Sequence, residues 1–316
     1  MIMAKIFYMP LTGQLSADFS PSTTKKVASA LSKFSSVFIN LPQQTQVHAH
    51  LDCLRLTGKA SKGEPQRALR CLAPPASGKS TLAQTYARSV NTAVPAGENS
   101  TPVVYVSLQN NATSKRFMQS ILFGRNASDV GTEMMLKRRI VDDFAKNGVE
   151  LLIIDEIHHA STRDDSTPLT NVVKSFLNDA ICPVAFFGTP AAENLFRGNR
   201  ELAQRTQIVC DIKPLKSHAE DMETLAAFLV QMDRELVKRD IFRRSSSFLH
   251  DHAVECLMEV SEGVVGAVAR ILQHALEIAV WRHADHIEMF DLARAVDEWA
   301  IPQGYVNTNP FLRGRA

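Results

Sequence analysis

Residues 73–81 run Ala73, Pro74, Pro75, Ala76, Ser77, Gly78, Lys79, Ser80, Thr81, an order of small, cationic and hydroxyl side chains suited to a polyphosphate. They meet the pattern G-x-x-x-x-G-K-[ST] at Gly78, Lys79 and Ser80, with Ala73 standing where the first glycine is expected. A triphosphate is held by backbone N–H groups lining a concave turn and by a helix N-terminus whose partial positive charge faces it. Gly78 would admit the close approach. Lys79 would reach the β- and γ-phosphates as a point charge, and Ser80 would set a hydroxyl on Mg²⁺, with Thr81 in reserve. Ala73 requires that the turn keep φ negative, which Pro74 and Pro75 help impose.

A second cluster strengthens the first. Residues 149–156, Val-Glu-Leu-Leu-Ile-Ile-Asp-Glu, form an apolar run of the kind found in strands covered on both faces, and it ends in Asp155 and Glu156. In open α/β sheets ligands sit beyond the carboxyl ends of the strands, where these two acids would emerge. The loop at 73–81 has the flanks its chemistry needs, a short buried strand at 67–73 and a helix at 80–90.

Other polar groups read less specifically. His48, His50, Asp52 and Cys53 scatter round a helix and read as a solvated face. His158 and His159 are adjacent and lack the H-E-x-x-H spacing of a zinc site. Lys137, Arg138 and Arg139 read as a solvated helix face.

Elements that position the chemistry follow from periodicity. Further strands are expected at 102–108, 183–187 and 207–212, and helices at 22–38, with Ser22 as cap, then at 43–56, 115–122, 132–146 and 171–178. Alternating strands and helices with long crossovers imply a parallel sheet. Beyond Pro214 the pattern is helical: 219–238, 247–260, 264–284 and 286–299. The expected organisation is an N-terminal arm with helices at 1–65, an α/β core at 66–214, an all-helical lid at 215–300 and an extended tail at 301–316.

Composition bounds the class. The chain has 316 residues, 45% hydrophobic and 22% charged, as in soluble globular proteins. Net charge is +2, so binding to a polyanion would need a local patch. The five cysteines are odd in number and widely spaced, as in reduced cytosolic proteins. No apolar run approaches membrane-spanning length and the N-terminus lacks a signal-peptide pattern, so a cytoplasmic location without membrane partners is expected.

A phosphate loop followed by a helical C-terminal domain resembles the AAA+ architecture. Several stretches resemble the TniB/TnsC family of ATP-dependent transposition regulators: Leu-Leu-Ile-Ile-Asp-Glu-Ile-His-His at 151–159, Phe-Gly-Thr-Pro at 187–190, Glu-Leu-Ala-Gln-Arg at 201–205 and Ser-Glu-Gly-Val-Val-Gly-Ala-Val-Ala-Arg-Ile-Leu at 261–272. The resemblance implies ATP as substrate, Asp155 in the Mg²⁺ shell and Glu156 orienting the attacking water. It implies Thr189 as a sensor near the γ-phosphate, Arg205 as the finger reaching a neighbouring subunit and Arg270 as the lid sensor. Thr189 reads equally as a helix cap, Arg197 and Arg200 compete with Arg205, and Arg270 reads also as an ordinary surface residue.

The function so implied is assembly with ATP into a ring or helical filament on duplex DNA, linking a target-selection protein, TniQ-like or CRISPR-associated, to a transposase, with disassembly on hydrolysis. Thr113, Ser114, Lys115 and Arg116, with Arg163 next, are the DNA-facing candidates, because binding without base readout needs cations and hydroxyls against phosphates. Alternatives are an AAA+ ATPase of another pathway, such as an initiator-like loader or a secretion ATPase, and a nucleotide-switched adaptor that scarcely hydrolyses. A metabolite kinase is disfavoured by the all-helical lid.

Overall fold

The computed structural model describes residues 17–110, 112–160, 168–246, 248–250 and 252–313. The chain falls into two compact units. One comprises 40–216 with 264–267, and the other 1–39, 217–263 and 268–316. The N-terminal region grouped as 1–65 in sequence is therefore divided between them.

The first unit is built on five parallel strands: β1 (Ala68–Leu72), β2 (Val103–Ser107), β3 (Leu151–Asp155), β4 (Val184–Gly188) and β5 (Thr206–Val209), in the order β2-β3-β4-β1-β5. Every residue of β3 and β4 is buried, as their continuous apolar sequences require in a sheet covered on both faces. The edge strands β2 and β5 end in exposed residues.

Helices supply the cover: α2 (Pro42–Ala60), α3 (Lys79–Thr92), α4 (Ser114–Gly124), α5 (Glu133–Lys146), α6 (Pro168–Asn178), α7 (Glu193–Arg197) and α8 (Arg200–Arg205). Leu136, Ile140 and Phe144 mark the buried stripe of α5 at a spacing of four, and Phe117, Met118, Ile121 and Leu122 that of α4. These join Phe176 and Phe186 in one core, where burying each such side chain contributes about 1.5–3 kcal/mol. Thr113 and Thr132 cap α4 and α5 through their hydroxyls.

The helical unit holds α1 (Pro21–Ser35), α9 (Ala219–Lys238), α10 (Ala253–Ser261), most of α11 (Val265–Trp281) and α12 (Met289–Ala295), which runs into a π-helical turn at Val296–Ala300. Among the described residues, its buried polar side-chain atoms all have partners. The Arg282 guanidinium donates to both oxygens of fully buried Asp291 (2.8 and 2.7 Å) and lies 3.0 Å from Glu288. Hydrogen bonding to Asp291 raises the arginine pKa against the cost of burial.

Three expectations are corrected here. The cap of α1 is Ser20, not Ser22, because Ser20 Oγ accepts the Thr23 N–H. The helix expected from 247 starts at Ala253, after His252 takes a left-handed conformation (φ 59°). The tail expected to be extended folds into a 3-10 turn at Pro310–Leu312, pinned by Asn309, whose amide donates to Ala293 O and Asp297 Oδ1 (2.8 Å each). Among the described residues, no single helix is long and apolar enough to cross a membrane.

Candidate functional site

The loop between β1 and α3 turns with Ala73 at negative φ, as expected, and adds a left-handed residue the sequence did not mark. Ala73 donates its N–H to Gly188 O (3.0 Å) and is not among the residues of positive φ, so no glycine is needed there. Concavity comes instead from two left-handed residues, Ala76 (φ 57°) and Gly78 (φ 81°). At Ala76 this conformation costs about 1–2 kcal/mol.

Gly78 caps α3 with no side chain closing the helix end, which leaves the N–H groups of Lys79, Ser80 and Thr81 without intrahelical acceptors. Ser77 Oγ is buried and has no hydrogen-bond partner among the described residues. Lys79 is 6% exposed, an ammonium held in a largely dry place. Unused N–H groups, an orphaned hydroxyl and a buried cation together fit a polyphosphate. The Ser80 hydroxyl and the Asp155 carboxylate are the hard oxygen donors that Mg²⁺ takes.

Gly266, in the first turn of α11, closes the other side of this loop. A Cβ there would lie 1.8 Å from Ala76 O, 2.8 Å from Ala76 C and 3.3 Å from Gly78 N. Residues 264–267 belong to the same unit as the loop, and Gly266 comes this close because it has no side chain.

The second half of the site forms where β3 and β4 end. Asp155 is 1% exposed; its Oδ1 accepts the Glu156 N–H (2.8 Å) and its Oδ2 accepts the Tyr105 hydroxyl (2.7 Å). Gln84 donates to that hydroxyl in turn (3.1 Å). Burial, then the charge of Asp155, pushes the Tyr105 pKa up, so the phenol keeps the proton it donates.

Glu156 adopts the left-handed region (φ 57°), an uncommon conformation for a residue with a side chain and one that turns its carboxylate back over the strand ends. Its Oε1 lies 3.5 Å from Lys79 Nζ, and its Oε2 lies 3.2 Å from His158 Nδ1. Thr189 donates its N–H to the same Nδ1 (3.4 Å). Gly188 makes this possible, since a Cβ there would lie 2.8 Å from Ile157 Cγ2. Thr189 occupies the N-cap position of the turn at Pro190–Ala192, its backbone extended, but its side chain makes no capping bond there.

Glu156, His158 and His159 bring three ligand atoms within 4.8 Å of one another, a closer gathering than their sequence spacing suggested. His48 and Asp52 also differ from expectation. They turn toward α3, with His48 Nε2 3.4 Å from Leu82 O and Asp52 accepting the Tyr86 hydroxyl (2.9 Å).

Lys79, Asp155, Glu156 and Thr189 thus converge at one edge of the sheet. Arg205 ends α8 with no ion-pair partner among the described residues, whereas Arg197 is tied to Glu193 (2.9 Å). Arg270 belongs to the helical unit, exposed and bonded to Gln273 (3.2 Å).

Of the DNA-facing candidates, Thr113, Lys115 and Arg116 are exposed at the start of α4, on the loop after β2. Ser114 is a correction. It is 1% exposed with an unpartnered Oγ, because the first turn of α4 points this position into the protein, and it offers nothing to a nucleic acid. Arg163 lies outside the described residues. The sequence pattern does not single out Tyr105 or Gln84, and it presents His158 only beside His159, without the spacing of a zinc site. A period of two does put Tyr105 on the same face as Ser107, the register partner of Asp155, but that pairing is known only once the sheet order is.

A family model described as "Bacterial TniB protein" matches residues 34–210, more than half of the chain. The chain belongs to the TniB family. No curated protein sequence matches this TniB chain. Its fold is similar to that of the Aeropyrum pernix ORC2 protein in its ADPNP-ADP complexes (TM-score 0.62, 15% identity, covering 84% of this chain and 70% of that one). It is similar also to Cdc6p from Pyrobaculum aerophilum (0.62, 13%, 84% and 70%) and to the Aeropyrum pernix ORC1 protein in complex with DNA (0.61, 14%, 82% and 66%). The TniB chain therefore has the P-loop AAA+ α/β fold with a helical C-terminal region.

Proposed function

We propose that this TniB protein is an ATP-dependent regulator of DNA transposition, which assembles on duplex target DNA, links a target-selection protein to the transposase and disassembles on hydrolysis. The observation that carries the reading is the convergence of Lys79, Asp155, Glu156 and Thr189 at one sheet edge beside a phosphate-shaped loop. The A. pernix ORC2 complexes with ADPNP and ADP support nucleotide as the ligand of that edge.

In this reading the backbone of residues 73–81 cradles the phosphates and Lys79 leaves Glu156 for the β- and γ-oxygens. Ser80 and Asp155 hold Mg²⁺, which would neutralise charge developing on the phosphoryl oxygens. Glu156 orients water, and the Thr189 hydroxyl reports on the γ-phosphate. Arg205, with Arg197 and Arg200 as competitors, serves a neighbouring subunit, and Arg270 acts from the lid. Lys115, Arg116 and the Thr113 hydroxyl meet DNA phosphates.

Electron microscopy with duplex DNA, with and without ATP or a slowly hydrolysed analogue, tests the whole. Rings or filaments that need both ligands are expected, and monomers in every condition would sink the proposal. Affinity for DNA should fall steeply with salt, and Lys115→Ala and Arg116→Ala should each flatten the salt slope by about 1.

An initiator-like or loader-like ATPase is the second reading, favoured by the similarity to ORC and Cdc6p folds. DNA-bound assembly that never recruits a transposase would favour it.

A further inference from the structure

The geometry points to His158 as the positioning residue for Glu156, holding one carboxylate oxygen so that the other is presented to water and coupling that hold to Thr189. This rests on the reading of Glu156 as the water-orienting carboxylate. One nitrogen has two claimants. His158 Nδ1 lies 3.2 Å from Glu156 Oε2 and receives the Thr189 N–H at 3.4 Å.

A ring nitrogen either donates or accepts. With the proton on Nε2, Nδ1 accepts from Thr189 and its lone pair faces the carboxylate, which leaves Glu156 to Lys79. With the proton on Nδ1, it donates to Glu156 Oε2 and releases the Thr189 N–H. The two carboxylate oxygens are already divided between separate neighbours, Oε1 toward Lys79 (3.5 Å) and Oε2 toward His158. When Lys79 turns to a phosphate, Oε1 is freed for water while Oε2 keeps its anchor. Movement of the Thr189 backbone on sensing the γ-phosphate then shifts Nδ1 from one partner to the other.

The surroundings support a tuned group rather than a filler. His158 is the second residue of a tight turn at Ile157–Ala160 that packs against side-chain-free Gly188, and its side chain is 19% exposed. Burial lowers its pKa, opposed by Glu156, so the imidazole is neutral and its tautomers are the states that matter.

Substitution of the full-length protein, assayed with DNA and ATP, tests this. Asn places an amide where Nδ1 sits, whereas Gln carries its amide one bond too far and Ala has none. His158→Ala and His158→Gln should lower kcat about tenfold with KM for ATP within about twofold, and His158→Asn should restore kcat to within about threefold of the parent. A kcat for His158→Ala within twofold of the parent would overturn the inference, as would equal losses in all three variants accompanied by a raised KM. Glu156→Gln, run alongside, separates the two failures. Turnover surviving in Glu156→Gln removes the reading of Glu156 as the water-orienting carboxylate. Turnover lost there but intact in His158→Ala removes the role of His158 alone.

Discussion

The two units treat buried polarity in opposite ways. In the helical unit, Asp291 is fully buried and both its oxygens are taken by Arg282, with Glu288 close by. In the α/β unit, Ser77 Oγ is buried without a partner, Lys79 has a carboxylate at 3.5 Å, and Ala76 and Glu156 hold left-handed conformations. A buried group left unsatisfied costs about 1–3 kcal/mol, so the fold around Ser77 carries a cost that the Arg282–Asp291 cluster does not. In the proposed function a bound phosphate would offset it.

The sharpest way to break this contrast is to substitute one residue on each side. Glu156→Gln should lower ATP turnover about 10²–10⁴-fold while the melting temperature stays within about a degree, read by phosphate release and calorimetry. Asp291→Ala should do the reverse. The buried Arg282 guanidinium is then left with half-exposed Glu288 at 3.0 Å, which should cost about 3 kcal/mol in urea unfolding, with nucleotide affinity of the folded fraction unchanged. Replacing Arg282 and Asp291 together by apolar residues of similar volume should recover most of that loss. If the single and double variants were equally destabilised, the pairing argument would fail.

Smaller effects sharpen it. Tyr105→Phe removes the hydroxyl on Asp155 Oδ2 and should lower kcat about tenfold at limiting Mg²⁺, with partial recovery at high Mg²⁺. An effect independent of Mg²⁺ would place Tyr105 outside metal binding.

The smallest concerns Glu150, near which Lys59 Nζ lies at 2.6 Å and to which Arg55 also donates. Burial raises its pKa, but the two cations outweigh that and hold the carboxyl below its usual range. A depressed folded pKa gives stability that is present above the unfolded value and lost as pH falls through the folded one. Glu150→Gln should therefore cost about 1 kcal/mol or less at pH 7, and the difference from the parent should vanish in acid, below that folded value. A difference that persisted there would mean a packing effect.

Much of the α/β unit was legible in sequence because its signals are local. The apolar run into Asp155 is typical of a doubly covered strand, and Gly78-Lys79-Ser80 opens a helix by its own chemistry. What escaped depends on contacts distant in sequence. Tyr105 finds Asp155 through strand pairing, His158 meets Thr189 because Gly188 lets the turn seat, and Asn309 docks on Ala293 across sixteen positions. Ser114 was misread for a similar reason. Its type suits a phosphate contact, yet the rotation of α4 that buries Phe117 and Met118 also buries it.

Gly266 carries a consequence for how this chain can vary. In most helices, exchanging glycine for alanine is a stabilising edit of about 1 kcal/mol. Here the added methyl would sit 1.8 Å from the Ala76 carbonyl, so the edit acts on the loop at 73–81 and not on the helix that bears it. A position nearly two hundred residues downstream thus belongs, by steric right, to the phosphate loop. Its freedom to change is set there, and a stabilisation campaign guided by helix propensity would meet the backbone of that loop first.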